Sequence, residues 1–270
     1  LGLRIATWNV NSIRRRLEGL GRLADWLSPD VICLQETKVP DFLFPAAEMA
    51  ALGYPHQAIR GMKSYNGVAI LSRLPLEDAG GRDWCGRPDC RHVRATVRHP
   101  ESGRAVEIHS LYLPAGGDVP DPDENPKFDH KLRFLDELTL WSAERRREGR
   151  SVVLAGDLNV APLPTDVWSH EKLRRVVTHT EVEVRRLEAA RKAGDWIDAV
   201  RHFVPDEQRL YTWWSYRSPD WEGSDRGRRL DHIWASPPLK AALAEVHVLR
   251  EARGWAEASD HVPVALTLEW

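Results

Sequence analysis

Cysteine is scarce in this chain, and its three residues cannot all pair with one another. That excludes a small secreted scaffold built on a disulfide framework. Cys33 sits in the apolar run Val31-Ile32-Cys33-Leu34 and is expected to serve as a small core hydrophobe. Cys85 and Cys90 fall in a loop rich in Gly, Pro and Arg near His92, but too few ligands stand at zinc-knuckle spacing, so a plain loop is expected. Long hydrophobic runs are also missing. Nothing approaches the roughly 18–20 apolar residues that span a bilayer. The segment from Leu1 to Ala6 is too short and mixed for a secretory h-region. A cytoplasmic enzyme with no membrane partner is the simplest expectation. Nor is there a large charge of one sign: the net charge is −2, which argues mildly against a nucleic-acid binder. Local basic clusters weaken that objection, among them Arg14-Arg15-Arg16, Arg145-Arg146-Arg147 and Arg226/Arg228/Arg229. Most such runs are solvated faces. Low-complexity tracts, long linkers and an obvious dimerisation helix are absent, so a single domain over residues 1–270 and a monomer are expected.

What is present is a succession of short apolar strands and amphipathic helices. Leu3–Trp8 reads as a first strand, and a helix capped by Asn11 or Ser12 is expected from Ile13 to Leu27, ended by Ser28-Pro29-Asp30. Val31–Gln35 has the nearly unbroken apolar character of a strand buried on both faces. Further helices are expected at Phe42–Leu52, from Asn125-Pro126 to Arg147, and at Glu181–Ala193. Paired strands are expected at Tyr54–Arg60 with Asn66–Ser72 and at Arg91–Arg98 with Arg104–Leu113. Single strands follow at Ser151–Ala155, Leu210–Trp214, Leu230–Ala235, Val246–Leu249 and Val264–Trp270. Strand-helix-strand units and hairpins in both halves imply an α/β fold, a two-sheet β-sandwich core flanked by helices as a four-layer α/β sandwich.

Four apolar segments give way to a polar signature: Asn9-Val10-Asn11, Gln35-Glu36-Thr37, Asp157-Leu158-Asn159 and Ser259-Asp260-His261. Singly, each has a bland reading as a helix cap, an Asx turn or a core histidine. Together they place carboxylates, amides and an imidazole just past strands, where α/β proteins carry their sites.

The segments Ala6-Thr7-Trp8-Asn9-Val10-Asn11, Leu34-Gln35-Glu36-Thr37-Lys38, Tyr65–Ser72, Tyr112-Leu113-Pro114, Ala155–Pro162, Tyr211-Thr212-Trp213-Trp214, Arg229-Leu230-Asp231-His232 and Ser259–Val264 resemble, in order and over nearly the whole chain, the exonuclease III family of apurinic/apyrimidinic (AP) endonucleases. That family lies within the endonuclease/exonuclease/phosphatase superfamily and has a DNase I-like fold. Gln-Glu-Thr-Lys is the more specific marker, because the superfamily shares Gly-Asp-x-Asn. The resemblance implies an Mg²⁺-dependent enzyme, with Mn²⁺ as a possible substitute, acting on double-stranded DNA at abasic sites or 3′ ends. It implies Glu36 as principal metal ligand, with Asn9 and Asp260 assisting, and Asp231–His261 as a carboxylate–imidazole pair. Asp157 and Asn159 would position the attacking water, with either Asp157 or His261 as general base. Tyr112 would bond the phosphate or ease departure of the leaving oxygen. Trp213 and Leu230 would wall a pocket for the extruded sugar, while Asn11, Arg226 and Arg228 would bind substrate.

Three positions depart from the family pattern. Ala115 stands where a side-chain amide is common, Ser12 replaces Gly, and Arg228 replaces an aromatic wall. The competing readings are a phosphatase or phosphodiesterase for a small molecule or lipid headgroup, and a catalytically silent DNA-binding or scaffold protein.

Overall fold

The computed structural model describes residues 2–270; Leu1, included in the expected domain, lies outside the described residues. Two six-stranded sheets carry the fold. The first runs β11-β12-β1-β2-β4-β3, from β1 (Gly2–Asn9), β2 (Val31–Gln35), β3 (His56–Arg60), β4 (Val68–Ser72), β11 (Leu243–Val248) and β12 (Val264–Glu269). The second runs β5-β6-β7-β8-β10-β9, from β5 (Leu76–Gly80), β6 (His92–Arg98), β7 (Ala105–Tyr112), β8 (Val152–Asp157), β9 (Ile197–Asp198) and β10 (Asp231–Ala235). Each sheet has one parallel pair, β1 with β2 and β7 with β8. A parallel pair needs a crossover, supplied here by α1 (Leu17–Leu27) and, after the short α2 (Ala46–Ala51), by α3 (Pro126–Glu148). Shorter helices follow: α4 (His170–Leu173), α5 (Glu181–Ala193), α6 (Ala199–Phe203) and α7 (Trp221–Ser224).

Period-2 alternation decides which side chains meet. Leu3 and Ile5 of β1, Val31 and Cys33 of β2, Val153 and Ala155 of β8, and Ile233 and Ala235 of β10 pack together between the sheets. The opposite faces serve the outer layers: Ala6, Trp8, Ile32 and Leu34 pack with Leu20, Leu23 and Leu27 of α1. Leu111, Val152, Leu154 and Trp234 pack with α3 and α5. The expected four-layer sandwich is therefore the observed one. Continued by two residues, the inward stripe reaches Asp157 and Asp231, and continued through buried Thr7 it reaches Asn9, so the core runs directly into the site. No helix among the described residues is long and apolar enough to cross a membrane.

Several expected boundaries are corrected. Helix α1 starts at Leu17 rather than Ile13, because Asn11 (φ 44°) and Ser12 (φ 86°) are left-handed and the amides of Ser12 and Ile13 donate to Glu36 and Thr37 carbonyls. The expected Phe42–Leu52 helix is broken into a 3₁₀ turn at Asp41–Leu43 and α2, since Phe44 precedes Pro45 and is extended. Leu210–Trp214 is not a strand. It makes isolated bridges from Trp213 to Arg228 and His261, and its β-prone aromatics serve packing: Tyr211 and Trp214 join the core beneath the first sheet. Strands β5 and β9 carried no expectation; β9 is two residues long, and β5 has the exposed, polar sequence of an edge.

Candidate active site

The site opens at one end of the seam between the sheets. Tyr112, Asp157 and Asp231 form a row across three neighbouring strands, with Asp157 paired to Tyr112 on one side and Asp231 on the other. Asn9 comes from the end of β1 in the facing sheet. Gly156 lets the row close: a Cβ there would lie 1.9 Å from the Leu111 carbonyl oxygen. Glu36 (φ 53°) and Asn159 (φ 51°) sit just past strand ends in left-handed backbone, as does Asn11. Such non-glycine residues cost on the order of 1–3 kcal/mol each and persist where surrounding structure holds them.

Ligand atoms of Glu36, Asp157 and His261 all lie within 4.8 Å of one another, the one such group found among the described residues. Asn9 Nδ2 donates to Glu36 Oε2 at 2.5 Å and Asp157 Oδ2 at 2.9 Å, while its Oδ1 accepts from the Asn11 amide at 3.0 Å. Its amide thus clamps the two carboxylates. His261 Nδ1 donates to Asp231 Oδ2 at 2.8 Å, and Nε2 lies 3.5 Å from Asp157 Oδ2. Asp231, rather than Asp260, orients the imidazole. Asp260 instead accepts from Trp213 Nε1 at 2.9 Å and Asn11 Nδ2 at 3.3 Å, and stands outside the converging group.

Burial raises the Asp157 carboxyl to about 7; His261 opposes this, and the negative charges of Asp231 and Glu36 add to it. Burial disfavours the His261 cation, yet the carboxylates of Asp231 and Asp157 hold its pKa well above the ordinary histidine value. Burial also raises the Tyr112 hydroxyl, followed by Glu36 and Asp157. The Glu36 and Asp157 carboxylates, facing one another across the site, form an oxygen-bearing, negative set that suits a hard divalent cation. Asn159 closes the floor: its backbone N donates to Asp157 Oδ1 at 3.0 Å, and its Nδ2 donates to Leu113 O at 2.8 Å.

These groups line a cleft of about 810 Å³. Trp213, Leu230, Trp168 and Thr178 form one wall; Arg226 and Arg228 line it too. Arg226 is exposed and stacks on Trp168 at 4.9 Å, whereas Arg228 is half-buried over Trp213 at 5.2 Å. Trp214, expected in the core, is buried. Arg229 departs from its basic cluster. It is fully buried and bonded to Asp166 and Asp198, so it braces the fold and does not face the cleft.

Sequence reasoning missed Thr212 and Lys131. Thr212 Oγ1 donates to Asp231 Oδ2 at 2.7 Å and accepts the Leu230 and Asp231 amides. Lys131 is buried with Glu183 and donates to the carbonyls of Asn159 at 2.7 Å and Ala115 at 3.1 Å. Thr212 lies inside the Tyr-Thr-Trp-Trp motif, a signal that was available; a lysine on a polar helix gives none.

Two mixed sheets enclosing an acidic cluster and a buried carboxylate–imidazole pair define the class of a hydrolase of the DNase I-like fold. The chain belongs to the endonuclease/exonuclease/phosphatase family, whose sequence profile matches residues 6–261. It is 27% identical over 277 residues to an exodeoxyribonuclease of Bacillus subtilis (strain 168), covering 98% of this chain and 99% of that protein. An AP endonuclease from Archaeoglobus fulgidus superposes with a TM-score of 0.90 at 33% identity, covering 99% of this chain and 100% of that one. The 3′ phosphatase NExo from Neisseria, solved with a product DNA hairpin, superposes at 0.88 with 34% identity and the same coverage. The resemblance to the exonuclease III branch holds over the whole chain.

Proposed function

We propose that this protein is an Mg²⁺-dependent AP endonuclease of base excision DNA repair. It would hydrolyse the phosphodiester 5′ to an abasic site to leave a 3′-hydroxyl, with 3′→5′ exonuclease or 3′-phosphatase activity at ends. The observation that carries this reading is the convergence of Glu36, Asp157 and His261 at the floor of a cleft walled by Trp213 and Leu230. Full-length similarity to an AP endonuclease and to a 3′ phosphatase supports DNA as substrate.

Water attacks phosphorus as its proton passes to Asp157, or to His261 where that ring starts neutral, and the P–O3′ bond breaks, the departing oxygen taking a proton from the Tyr112 hydroxyl or from solvent to leave as the 3′-hydroxyl. Asp157 and Asn159 hold the water, and Asp231 keeps His261 oriented and charged opposite the phosphate. The Tyr112 hydroxyl faces the departing oxygen. Glu36 would hold the metal with Asp157 and His261 beside it, Asn9 and Asp260 ordering the surrounding polar groups. A bound Mg²⁺ or Mn²⁺ supplies positive charge for the scissile phosphate and leaving oxygen. Trp213 and Leu230 form the apolar surface for the extruded sugar, and Asn11, Arg226 and Arg228 meet the backbone. The reading includes action as a single-domain monomer in the cytoplasm, which three free cysteines fit.

The test compares abasic duplex, intact duplex, recessed 3′ ends and inositol phosphates, each with Mg²⁺ and with chelator. Cleavage of abasic duplex that depends on metal and greatly exceeds cleavage of intact duplex is expected. Equal rates on intact and abasic duplex, or preference for the inositol phosphates, would reject the reading.

A further inference from the structure

Arg228 is a half-buried cation with no carboxylate of its own. Its backbone is fixed, N donating to Trp213 O at 3.0 Å and O accepting from Thr212 N at 2.9 Å and Trp213 N at 3.0 Å. The guanidinium lies over the Trp213 ring at 5.2 Å. Nη1 donates to Val177 O at 3.2 Å and Thr178 Oγ1 at 2.9 Å, while Nε is buried without a partner. Arg201 and Arg229 differ, both pairing with Asp166, and Arg16 and Arg253, buried on hydroxyl and carbonyl partners alone, do not line the cleft. The carboxylate that compensates Arg228 is Glu183, which already forms an ion pair with Lys131, so this wall holds two cations against one anion. Burial accordingly depresses the Arg228 guanidinium below its ordinary value. An unpaired buried charge is expensive, and here it lines an open cleft. Asp260, which also lines the cleft, is engaged by Trp213 and Asn11.

Position narrows what the cation meets. Backbone bridges order the wall as His261, Trp213, Arg228, Val167. Two strand spacings, roughly 10 Å, therefore separate the backbone of Arg228 from that of His261. With its guanidinium tied to Val177 O and Thr178 Oγ1, this spacing suits a group one sugar beyond the phosphate undergoing attack. Trp213 lies between the two.

We propose that Arg228 binds an oxyanion carried by the group released on the 3′ side of the scissile phosphate, and that it makes the enzyme discriminate substrates by charge at that position. The inference rests on the reading that Trp213 and Leu230 wall the released side. Two sources share the chemistry: the next internucleotide phosphate at an internal abasic site, and an acidic group esterified to a terminal 3′-phosphate.

The experiment is a cycle of R228M against substrate charge, measured as kcat/KM with Mg²⁺. One arm compares an abasic duplex with the same duplex carrying a neutral methylphosphonate 3′ to the abasic sugar. The other compares 3′-phosphate esters ending in carboxymethyl or in ethyl. In the wild type, neutralisation is expected to lower kcat/KM about tenfold in at least one arm, a single charge-assisted contact. R228M should lose about tenfold on the charged member of that arm and less than twofold on the neutral one. The arm that shows the coupling identifies the source. R228M is also expected to melt at or above the wild-type temperature, since it removes an unpaired cation. Equal loss on charged and neutral substrates, with a lowered melting temperature, would assign Arg228 to bracing the Val177–Thr178 turn and overturn the proposal; so would no loss on either. A wild-type enzyme that cleaves no DNA substrate would reject the proposed function itself, whereas cleavage without coupling rejects the role of Arg228 alone.

Discussion

At Asp231 one carboxylate oxygen accepts two short hydrogen bonds, from Thr212 Oγ1 at 2.7 Å and His261 Nδ1 at 2.8 Å, and the other oxygen is buried without a partner. A carboxylate so placed fixes the ring and favours its charged form. Asp231→Asn keeps the shape but removes the charge. The expected result is a fall in kcat of about 10²–10⁴-fold on abasic duplex with KM little changed; a loss under threefold would show that His261 works without Asp231. Thr212→Val removes the donor to Asp231 and the acceptor for two amides, so a smaller fall of about tenfold is expected, with roughly 1–2 kcal/mol less stability in urea. At this scale the sequence was informative where chemistry and periodicity coincide. Asp157 and Asp231 extend an inward apolar stripe by one more step of two, and Asn9 does so by two steps through buried Thr7, so the same alternation that marks the core marks the site. The duties of Asp260 and Arg229 were not legible, because each depends on partners more than 30 residues away: Trp213 for one, Asp166 for the other.

Helices α3 and α5 meet through a buried ion pair, Lys131 with Glu183, that also ties two active-site loops. Lys131 Nζ donates to Asn159 O and Ala115 O, and Glu183 accepts from the Thr178 and Thr180 amides. Burial lowers the lysine's pKa, with Glu183 opposing. Lys131→Met leaves Glu183 buried without its cation and is expected to cost about 3–5 kcal/mol in urea unfolding. Adding Glu183→Gln should recover part of that loss without restoring full activity, because the Asn159 and Ala115 carbonyls remain untied. If the double variant were no more stable than Lys131→Met, the pair would not be the source of the cost. The bounds of α5 were legible from its capping box, Thr180 with Glu183. The start of α1 was not: Asn11 and Ser12 have the composition of caps, yet their left-handed backbone serves the loop that carries Glu36.

Across the whole molecule, the faces that do not look into the seam hold buried histidines whose charge the fold excludes. His232 of β10 is fully buried, and its Nε2 donates to Val160 O at 2.8 Å, bracing the Asp157–Asn159 loop from behind. Burial first, and the cation of Arg229 second, lower its pKa to about 4. Unfolded, the ring titrates near the ordinary value of about 6.5. Between these values the unfolded chain binds the extra proton, so stability falls as pH falls through that window and is unaffected by His232 above it. Relative to about pH 8, the loss attributable to this ring at about pH 5 is about 2 kcal/mol. Other groups titrate in the same range, with Asp157 acting in the opposite sense because its folded value is raised. The clean measurement is therefore a difference. His232→Gln keeps a donor for Val160 but has no proton to bind, so the gap in unfolding free energy between wild type and variant should shift by about 2 kcal/mol in the variant's favour from pH 8 to pH 5. A gap that stays constant with pH would mean that the ring is charged or solvated in the folded protein. The Val160 contact ties that result to the site: β10 presents Asp231 to the cleft and His232 to the outer layer, so acid weakens the second sheet on the face opposite its catalytic row.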